Sequence, residues 1–530
     1  MKELINARLV AASALIAFGV AICLAPPAHA QSNPIAPKTL PRVGTIDERF
    51  QSFNIEMVEV TGGRFWKPYA SAAAAAPTSA NQPAGMDPSL YEYRKPIDLY
   101  NARLRMLATA LGPAYVRVSG TWANSTFFQS AEGPAPAEAP TGFKGVLTRD
   151  QWKGVVEFSK ATDAKIVTSF AISAGTRDAN GAWTPEQAKQ IFDYTKSLGG
   201  SIAAAELFNE PTMPEMGGAP KGYDTFAFAR DVKVFRDYAR VADPKMLVLG
   251  PGSVGEGANS KILVPGLKIM KSEDMLTSTG PAFDVFSYHT YGAVSVRCKS
   301  MGAEATTTAE AALSEDWLTR GGLNAQFYAG LRDRFLPGKP MWNTETAQAA
   351  CGGDRWASTF LDSFRYLNQL GDLAKRGVQV HMHNTLAASD YGLLQEYTFE
   401  PRPNYWSALL WRRLMGTTVL DAGTASSPSL HVYAQCLRNH PGGVALLVIN
   451  TDTKQGQSLT VPATSERYTL TAHELTDKLV QLNGVDLKLT ADDALPELKG
   501  AATKSGEVQF SPASITFLAI PKADNASCRQ

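Results

Sequence analysis

The sequence is poor in cysteine, has no excess of charge of either sign and lacks long apolar runs beyond its N terminus. Its 530 residues include 5 cysteines, 51 lysines plus arginines and 50 aspartates plus glutamates. Because the two charge totals nearly cancel, no overall basic field is available to hold nucleic acid or an anionic membrane surface. The 44% hydrophobic content instead indicates an ordered globular protein with a large core.

The scarcity of cysteine also argues against a metal centre. The 7 histidines never fall at ligand spacing with the cysteines, so we predict no metal ion and no cofactor. Cys23 lies in an N-terminal segment that we expect to be removed. The other four cysteines allow three disulfide pairings. They are Cys298, Cys351, Cys436 and Cys528.

The one long apolar run lies at the N terminus. Lys2 and Arg8 precede an uncharged stretch over Leu9–Leu24, and Ala28-His29-Ala30 has the small-x-small pattern of a signal-peptidase site. The alternative is a membrane anchor, which is disfavoured because the run is shorter than the ~20 residues that a span needs. We therefore predict a cleavable signal peptide over residues 1–30, secretion or a periplasmic location, and no association with a membrane.

Downstream of residue 46, short apolar or alternating runs are followed repeatedly by amphipathic stretches. Eight such repeats predict a (β/α)8 TIM barrel over residues 46–415. An open doubly wound sheet is the rival, but no glycine-rich phosphate turn follows any of these strands. The predicted strands are Gln51–Val60, Ala114–Ser119, Lys165–Ile172, Ile202–Phe208, Met246–Gly250, Phe283–Tyr288, Pro340–Thr344 and Val378–Asn384.

The character of the sequence changes from about Thr417 onward. Short β-like runs separated by turn residues, such as Leu430–Cys436 and Ser514–Ile520, predict a C-terminal β-sandwich domain over residues 416–530. The sequence leaves open whether residues 31–45 add to this domain.

Two glutamates lie where a barrel concentrates its chemistry, at the carboxyl ends of strands. Glu210 follows the fourth predicted strand within Asn209-Glu210-Pro211, and Glu345 ends the seventh. About three repeats separate them, so they face each other across the barrel mouth. Opposed carboxyls about 5 to 5.5 Å apart cleave a glycosidic bond with retention of configuration.

We assign Glu345 as the nucleophile and Glu210 as the acid and base, because one of two close carboxyls keeps its proton. A single glutamate before a proline is commonly an ordinary loop carboxylate, but two on complementary strands favour catalysis. The amide of Asn209, beside the acid, would hold the 2-hydroxyl of the sugar.

Four segments carry a family resemblance. They are Gly112–Thr121, Ser287–Tyr291, Thr344–Thr346 with the following glycine pair, and Tyr405–Leu420. Together with the Asn-Glu-Pro motif of a large clan of retaining glycoside hydrolases, they resemble the heparanase family of β-glucuronidases. The similarity covers the barrel and the start of the β-rich region.

The resemblance implies a binding site for glucuronic acid. The carboxylate of the sugar would be held by the backbone amides of Gly352 and Gly353 and by the hydroxyl of Tyr391, with no need for a lysine or arginine. Glu56 and Thr121 fall where family members contact sugar hydroxyls. Either residue could equally be ordinary core or rim polarity.

The same predicted strands and family resemblance suggest roles for further residues. His289 and Tyr291 end the sixth strand beside the predicted nucleophile, and Tyr291 would donate a hydrogen bond that keeps Glu345 ionised. A buried structural histidine is the alternative for His289. Cys298 with Cys351 would bridge adjacent rim loops, and the remaining two cysteines would pair within the β-rich region.

The sequence thus predicts a secreted, monomeric glycoside hydrolase that cleaves β-glucuronic acid linkages by double displacement, endo-acting on heparan-sulfate-like polysaccharide. One alternative is an exo-β-glucuronidase acting on oligosaccharides or small glucuronides. The other is a glycan-binding protein with an inactive barrel, which would lack one of the two carboxylates. An open groove with Lys67, Arg94, Lys144 or Arg177 would suit a sulfated polymer, whereas a blocked cleft implies exo action.

Overall fold

A closed barrel of eight parallel strands forms the centre of the molecule. The computed structural model describes residues 34–69, 87–257, 269–301, 303–423 and 427–529, so the predicted signal peptide lies outside the described residues. The strands follow one another around the barrel in chain order, and the last pairs with the first. Strands are numbered along the chain, and β1 (Arg42–Thr45) precedes the barrel without belonging to it. The eight barrel strands are β2 (Gln51–Glu56), β5 (Ala114–Ser119), β8 (Ala164–Ser169), β9 (Ile202–Glu206), β10 (Leu247–Ser253), β11 (Val285–Tyr291), β12 (Met341–Ala347) and β13 (Val380–His383).

This architecture confirms the predicted (β/α)8 fold class, but the first barrel strand is shorter than predicted. The sequence predicts a strand over Gln51–Val60, whereas β2 ends at Glu56 and a helix, α1 (Met57–Thr61), begins directly after it. Glu59 Oε1 accepts a hydrogen bond from the backbone N–H of Glu56 at 2.8 Å, which satisfies a free donor at the start of the helix. A short apolar run does not by its pattern distinguish strand from buried helix.

Helices connect successive strands and cover the outside of the barrel. They are α2 (Ala102–Leu111), α3 (Arg149–Thr162), α4 (Glu186–Ser197), α5 (Thr225–Ala242), α6 (Ser272–Thr279), α7 (Glu315–Phe335), α8 (Phe360–Lys375) and α9 (Pro403–Leu414). A side chain caps the start of four of them, α2, α3, α5 and α7. At α3, Thr148 Oγ1 accepts from the N–H of Gln151 at 3.2 Å, and Gln151 Oε1 accepts from the N–H of Thr148 at 2.9 Å.

Two small two-stranded sheets stand at the end of the barrel where the strands finish. β3 (Gly63–Trp66) pairs with β4 (Tyr91–Arg94) in antiparallel fashion, and β6 (Thr126–Gln129) pairs with β7 (Gly145–Thr148) in parallel. They follow the first and second barrel strands along the chain. Both sheets therefore form walls around the barrel mouth.

An antiparallel sheet packs beside the barrel. β1, which precedes the barrel, is its edge strand and pairs with β14 (Met415–Leu420). A separate pair, β17 (Gln457–Val461) with β22 (Gly506–Phe510), forms a second layer. Leu459 and Phe510 of this pair belong to one apolar cluster with Leu446 and Leu518 of the larger sheet. The other strands of the larger sheet are β15 (Leu430–Leu437), β16 (Val444–Asn450), β18 (Ser465–Thr471), β19 (Gln481–Leu482), β20 (Val485–Asp486), β21 (Ala501–Thr503) and β23 (Ser514–Ile520).

This two-layered arrangement agrees with the predicted β-sandwich. A disulfide joins Cys436 to Cys528 within it. The bounds of the two domains, 46–415 and 416–530 with or without 31–45, stay predictions. Because β1 pairs with β14, we propose that residues 42–45 belong to the sandwich.

The far end of the barrel is filled by apolar side chains, among them Tyr115, Val167, Trp342 and Met382. This packing leaves the carboxyl-terminal end of the strands as the place for a site. Within the described ranges, no helix has the length and apolar character that crossing a bilayer requires.

Candidate active site

Glu210 and Glu345 meet at the mouth of the barrel. Glu210 follows β9 and Glu345 lies within β12. One carboxylate oxygen of each and one ring nitrogen of His289 all lie within 4.8 Å of one another. Both carboxyls line a cavity of about 620 Å³. The two predicted acids therefore share one cleft and lie close enough to flank a single glycosidic bond.

A bulge in β12 explains how Glu345 comes to face this cleft. The pairing with β11 runs Tyr288 with Asn343 and then His289 with Glu345, so Thr344 is an extra residue without a partner. Strand side chains alternate between faces, and an inserted residue resets that alternation. Thr344 points inward as well, since its Oγ1 donates to Glu206 Oε1 at 3.1 Å.

The environment of Glu345 favours its ionised form. Tyr291 donates its hydroxyl to Glu345 Oε1 at 2.6 Å, and Arg117 Nη1 donates to Glu345 Oε2 at 2.9 Å. Burial alone would raise the pKa of Glu345, but His289, Arg117 and the Tyr291 hydroxyl lower this pKa below that of an ordinary glutamate. Tyr291 thus makes the contact that the sequence predicts for it.

The environment of Glu210 favours its protonated form instead. Burial and the neighbouring charge of Glu345 raise the pKa of Glu210, against the opposing hydrogen bond from His289. Its backbone has a φ of 53°, in the left-handed region that non-glycine residues rarely occupy. The two pKa values are therefore shifted in opposite directions, so Glu345 loses its proton at a lower pH than Glu210 does.

His289 couples the two carboxyls to Arg117. Arg117 Nη2 lies 3.2 Å from His289 Nε2, and His289 Nδ1 lies 3.0 Å from Glu210 Oε1. Because a guanidinium can only donate, the network assigns Nε2 as the acceptor and places the ring proton on Nδ1, facing Glu210. His289 is buried below the cleft and does not line the cavity. It nevertheless forms a direct hydrogen bond with the predicted acid, Glu210.

Arg117 is the residue that sequence reasoning missed. It lies in β5 and its side chain is only 1% exposed. Besides Glu345 and His289, it donates to Asn209 Oδ1 at 2.7 Å and to Glu206 Oε2 at 3.1 Å. The sequence did contain a signal for it, since Arg117 is the one charged residue in the otherwise largely apolar strand Ala114–Ser119. A buried charge needs a partner, so this arginine predicts an acidic group nearby in the barrel interior.

Asn384 was also missed, and it connects the nucleophile with the predicted sugar-binding residues. It directly follows β13 and lines the cavity. Its Nδ2 donates to the hydroxyls of Tyr291 at 3.1 Å and Tyr391 at 3.2 Å. The proton of Tyr291 goes to Glu345, whereas that of Tyr391 is left for another acceptor. A polar residue ending a barrel strand was the signal that could have found Asn384.

Glu56 lies on the same side of the cavity. It lines the cleft, and its Oε2 is a buried atom without a hydrogen-bond partner among the described residues. Burial and the charge of Glu345 raise the pKa of Glu56 well above its usual range. Behind it, burial raises the pKa of Glu59 to about 8. A protonated Glu56 can donate a hydrogen bond into the cleft.

The glycine pair lies beside Tyr391 in a loop with left-handed backbone. Cys351, Gly352 and Gly353 have φ angles of 64°, 82° and 78°. Within the described part of the chain, the N–H groups of Gly352 and Gly353 have no acceptor. Cys351 forms a disulfide with Cys298. Successive backbone N–H groups held in this way form a concavity that suits an anion.

The structure divides the predicted site residues into two groups. Glu210, Glu345, Glu56, Thr121, Tyr291 and Tyr391 line the cavity. The others, Asn209, His289, Gly352 and Gly353, are buried in the layer directly behind them. Asn209 is positioned by Arg117 and by the backbone N–H that it donates to Asn124 Oδ1 at 2.8 Å.

Comparison with known proteins adds sequence relatives. No family model matches the chain. It is 26% identical over 493 residues to heparanase-like protein 1 of Arabidopsis thaliana, covering 82% of this chain and 86% of the relative. It is 34% identical over 178 residues to baicalin-β-D-glucuronidase of Scutellaria baicalensis, covering 32% of this chain and 34% of that protein. The chain is thus similar in sequence to heparanase-like proteins over most of its length.

Solved structures show the same fold. A 4-O-α-L-rhamnosyl-β-D-glucuronidase from Fusarium oxysporum superposes with a TM-score of 0.60 at 13% identity, covering 91% of this chain and 99% of that one. The family resemblance and the predicted class of glycosidase are thereby confirmed. One relative, from Homo sapiens, is named inactive heparanase-2 and is 25% identical over 72% of this chain and 66% of its own length.

Proposed function

We propose that this protein hydrolyses β-glucuronides with retention of configuration. The observation that carries this proposal is the pair Glu210 and Glu345, whose oxygens lie within 4.8 Å and whose pKa values are shifted in opposite directions. Two carboxyls this close provide a nucleophile and a proton donor on either side of one glycosidic bond.

In the first half of the reaction, Glu345 attacks the anomeric carbon and forms a bond to it. The bond from that carbon to the leaving-group oxygen breaks, and Glu210 gives its proton to this oxygen. Since Glu210 Oε1 accepts from His289 Nδ1 at 3.0 Å, the transferable proton is on Oε2. Tyr291 and Arg117 hold the attacking carboxylate in place.

In the second half, Glu210 acts as a base. It takes a proton from a water molecule, whose oxygen attacks the anomeric carbon and releases Glu345 as a carboxylate. While Glu210 is ionised, His289 donates a hydrogen bond to it. When Glu345 becomes a carboxylate again, Arg117 and Tyr291 stabilise its negative charge by donating hydrogen bonds to it. The inversion at each of the two steps restores the β configuration.

We further propose that Tyr391 and the glycine pair hold the carboxylate of the glucuronic acid. Asn384 occupies the acceptor side of the Tyr391 hydroxyl, so the hydroxyl proton is available to an anion. The N–H groups of Gly352 and Gly353 have no acceptor in the described chain, and Gly353 packs against Tyr391, whose Cβ would lie 3.2 Å from a Cβ added at this glycine. Glu56 would contact sugar hydroxyls, as the resemblance implies.

Between endo and exo action, the cleft favours exo action. Of the four basic residues that would suit a sulfated polymer, only Lys144 lines the cavity among the described residues. Arg94 is in a buried ion pair with Glu396, and Arg177 pairs with buried Asp231. A cleft with so few free cations offers little to a densely sulfated chain.

The segment that begins with the last residue of β3 also favours exo action. Trp66 packs against Gly352, where an added Cβ would lie 2.6 Å from the Trp66 Cβ. The N–H of Tyr69 donates to Asp390 Oδ2 at 3.0 Å, and its hydroxyl lies 2.9 Å from Ser295 Oγ. Trp66 and Tyr69 therefore pack against the loops that would hold the sugar carboxylate, which would leave less room for a polysaccharide chain on that side.

Three expectations accompany the proposal. The protein would be exported after removal of residues 1–30, and it would act as a monomer. The inactive-barrel alternative is not favoured, because both carboxylates and their shifted pKa values are present.

The test uses Glu345→Gln and, as a matched control, Glu157→Gln on the surface of α3. We expect the first variant to lose at least 1,000-fold in kcat on an aryl β-glucuronide and the second to keep wild-type activity. Proton NMR early in the wild-type reaction should show β-glucuronic acid as the first product. Activity of Glu345→Gln near the wild-type rate would reject the nucleophile, and an α-anomer would reject double displacement.

A further inference from the structure

Glu206 is a carboxylate of the barrel interior that the two steps of the reaction do not use. It is the last residue of β9 and is buried. Its Oε2 accepts a hydrogen bond from Arg117 Nη2 at 3.1 Å, and its Oε1 accepts one from Thr344 Oγ1 at 3.1 Å. Glu206 does not line the cavity, so its side chain does not meet a substrate there. A charged group so deeply buried acts on its partners.

Arg117 is shared between two carboxylates. Its Nη1 donates to Glu345 Oε2 at 2.9 Å, while its Nη2 donates to Glu206. These two ion pairs join three buried side chains. Burial would lower the pKa of Arg117, but the charges of Glu206 and Glu345 raise it, that of Glu206 more strongly. The guanidinium therefore depends on both partners for its charge.

The proposed reaction removes one of these two negative charges. Glu345 gives an electron pair to the anomeric carbon and becomes a neutral ester. The bond from this carbon to the leaving-group oxygen breaks, its electron pair stays on that oxygen, and the oxygen takes the proton of Glu210. The negative charge thus moves to Glu210, which the ring of His289 separates from Arg117. A buried cation that loses its charged partner is costly.

We propose that Glu206 is a positioning residue that acts as the permanent counterion of Arg117 while Glu345 is bonded to the sugar. This inference rests on the proposed function, because it requires a covalent intermediate. Glu206 forms and breaks no bond in the reaction, so its charge is the same before and after the sugar is attached. It therefore stabilises the ester relative to the free enzyme. In the free enzyme it also weakens the attraction of Arg117 for Glu345, which keeps that carboxylate reactive.

Among the described residues, the other groups that face Arg117 do not replace this counterion. Glu345 loses its charge in the ester. Burial and the charge of Glu345 raise the pKa of Glu56 well above its usual range, which favours its neutral form. His289 accepts from the guanidinium through Nε2 as a neutral ring, and Asn209 accepts through Oδ1 as a neutral amide.

Thr344 holds Glu206 in a fixed orientation. Its hydroxyl occupies Oε1 and leaves Oε2 to Arg117. Thr344 is the bulge residue before the nucleophile, and its carbonyl accepts from Asn54 Nδ2 at 3.2 Å. A change at Thr344 can therefore remove a contact of Glu206 without removing its charge.

The test measures how long the covalent intermediate survives. 2-Deoxy-2-fluoro-β-D-glucuronyl fluoride would label the nucleophile as a slowly hydrolysed ester, which intact-protein mass spectrometry can follow. We expect Glu206→Gln to lose the label about 10-fold faster than the wild type, because ester hydrolysis restores a negative charge beside an underpaired Arg117. Its kcat on phenyl β-glucuronide, when ester formation limits the rate, should fall about 10-fold. Structural damage would slow both steps, so loss of the label at the wild-type rate or more slowly overturns the proposal.

The pH profile is a second readout. Removing the negative charge of Glu206 lowers the pKa of Glu345, so the acid limb of kcat/KM in Glu206→Gln should move to lower pH. Glu206→Asp keeps the charge and should leave this limb nearer its wild-type position. A limb that moves to higher pH in Glu206→Gln contradicts the proposal.

Two controls separate charge from packing. Asp362→Asn removes a carboxylate from another buried ion pair, in which Arg365 Nε lies 2.6 Å from Asp362 Oδ1 and neither residue lines the cavity. It should change neither the lifetime of the label nor the acid limb. Thr344→Val keeps the charge of Glu206 and should leave the lifetime within about 3-fold of wild type.

A double variant tests whether Glu206 acts through Arg117, and it also serves if Glu206→Gln does not fold. Arg117→Gln with Glu206→Gln leaves neither charge of this ion pair, so its kcat should be no lower than that of Arg117→Gln alone. A further loss in the double variant contradicts the proposal. A wild-type protein that takes no label and hydrolyses no glucuronide would instead reject the proposed function.

Discussion

Arg117 Nη1 lies 2.9 Å from Glu345 Oε2, although 228 residues separate them in the chain. Arg117 comes from the second barrel strand and Glu345 from the seventh, so the guanidinium spans the barrel interior. The same guanidinium reaches Asn209, beside the acid, at 2.7 Å. One buried cation thus helps to lower the pKa of the nucleophile and positions the neighbouring amide.

Replacing Arg117 by glutamine should lower kcat about 100-fold, because a charge-assisted hydrogen bond worth roughly 1.5–3 kcal/mol is lost from the nucleophile. Without the guanidinium, the pKa of Glu345 rises, so the acid limb of the pH–rate profile should move to higher pH. Arg117→Lys keeps the charge and should leave that limb near its wild-type position. A fall in kcat with an unchanged acid limb in Arg117→Gln would mean that Arg117 acts only on structure.

The pH dependence should be a bell set by the coupled pair. Glu345 must be ionised to attack, and its pKa is lowered, so activity is lost as the pH falls through that low pKa. Glu210 must be protonated, and its pKa is raised, so activity is lost as the pH rises through that higher pKa. The two limits belong to the pair and not to either residue alone.

The alkaline limb can be assigned with one variant. Glu210→Gln should lose most activity on phenyl β-glucuronide, and its residual kcat/KM should show no alkaline limb, because the group that titrates there is absent. An alkaline limb that keeps its wild-type midpoint in this variant would assign the proton donor to another residue.

Selectivity for glucuronides over glucosides should depend on the Tyr391 hydroxyl. Tyr391→Phe removes one hydrogen bond to the sugar carboxylate, so KM for an aryl glucuronide should rise about 10-fold while that for the matching aryl glucoside changes little. Tyr366→Phe is the matched control. Its buried hydroxyl accepts from Gln51 Nε2 at 3.3 Å, away from the cleft. A loss of equal size for both substrates would place the carboxylate elsewhere.

The two disulfides should act differently on catalysis. Cys298 with Cys351 braces the loop that carries Gly352, so replacing both by alanine should raise KM for aryl glucuronides several-fold more than it lowers kcat. Replacing Cys436 and Cys528 removes an equivalent bond in the sandwich and should change stability, by about 2–5 kcal/mol, but not KM. Equal KM values in the two double variants would show that the rim disulfide has no part in binding.

The site shows where sequence reasoning succeeds and where it stops. Glu210 and Glu345 could be found because the carboxyl end of each barrel strand is a local property, readable from a run of apolar residues and the polar residue that ends it. Arg117 and Asn384 also carry a local signal, a lone arginine in an apolar strand and a polar residue after one, but that signal does not identify their partners. Their importance comes from partners on strands that are distant in the chain, which only the closed barrel brings together.

From the sequence alone one obtains the alternation of strands and helices, the β-rich C-terminal region and two acids at one rim, since these follow from patterns over a few residues. The tertiary structure decided the bulge that turns Glu345 inward, the opposite pKa shifts of the two carboxyls and the contact of Arg117 with both Glu345 and Asn209. These depend on burial and on distances between separate elements. Burial and distance are properties of the folded chain, and no single segment contains them.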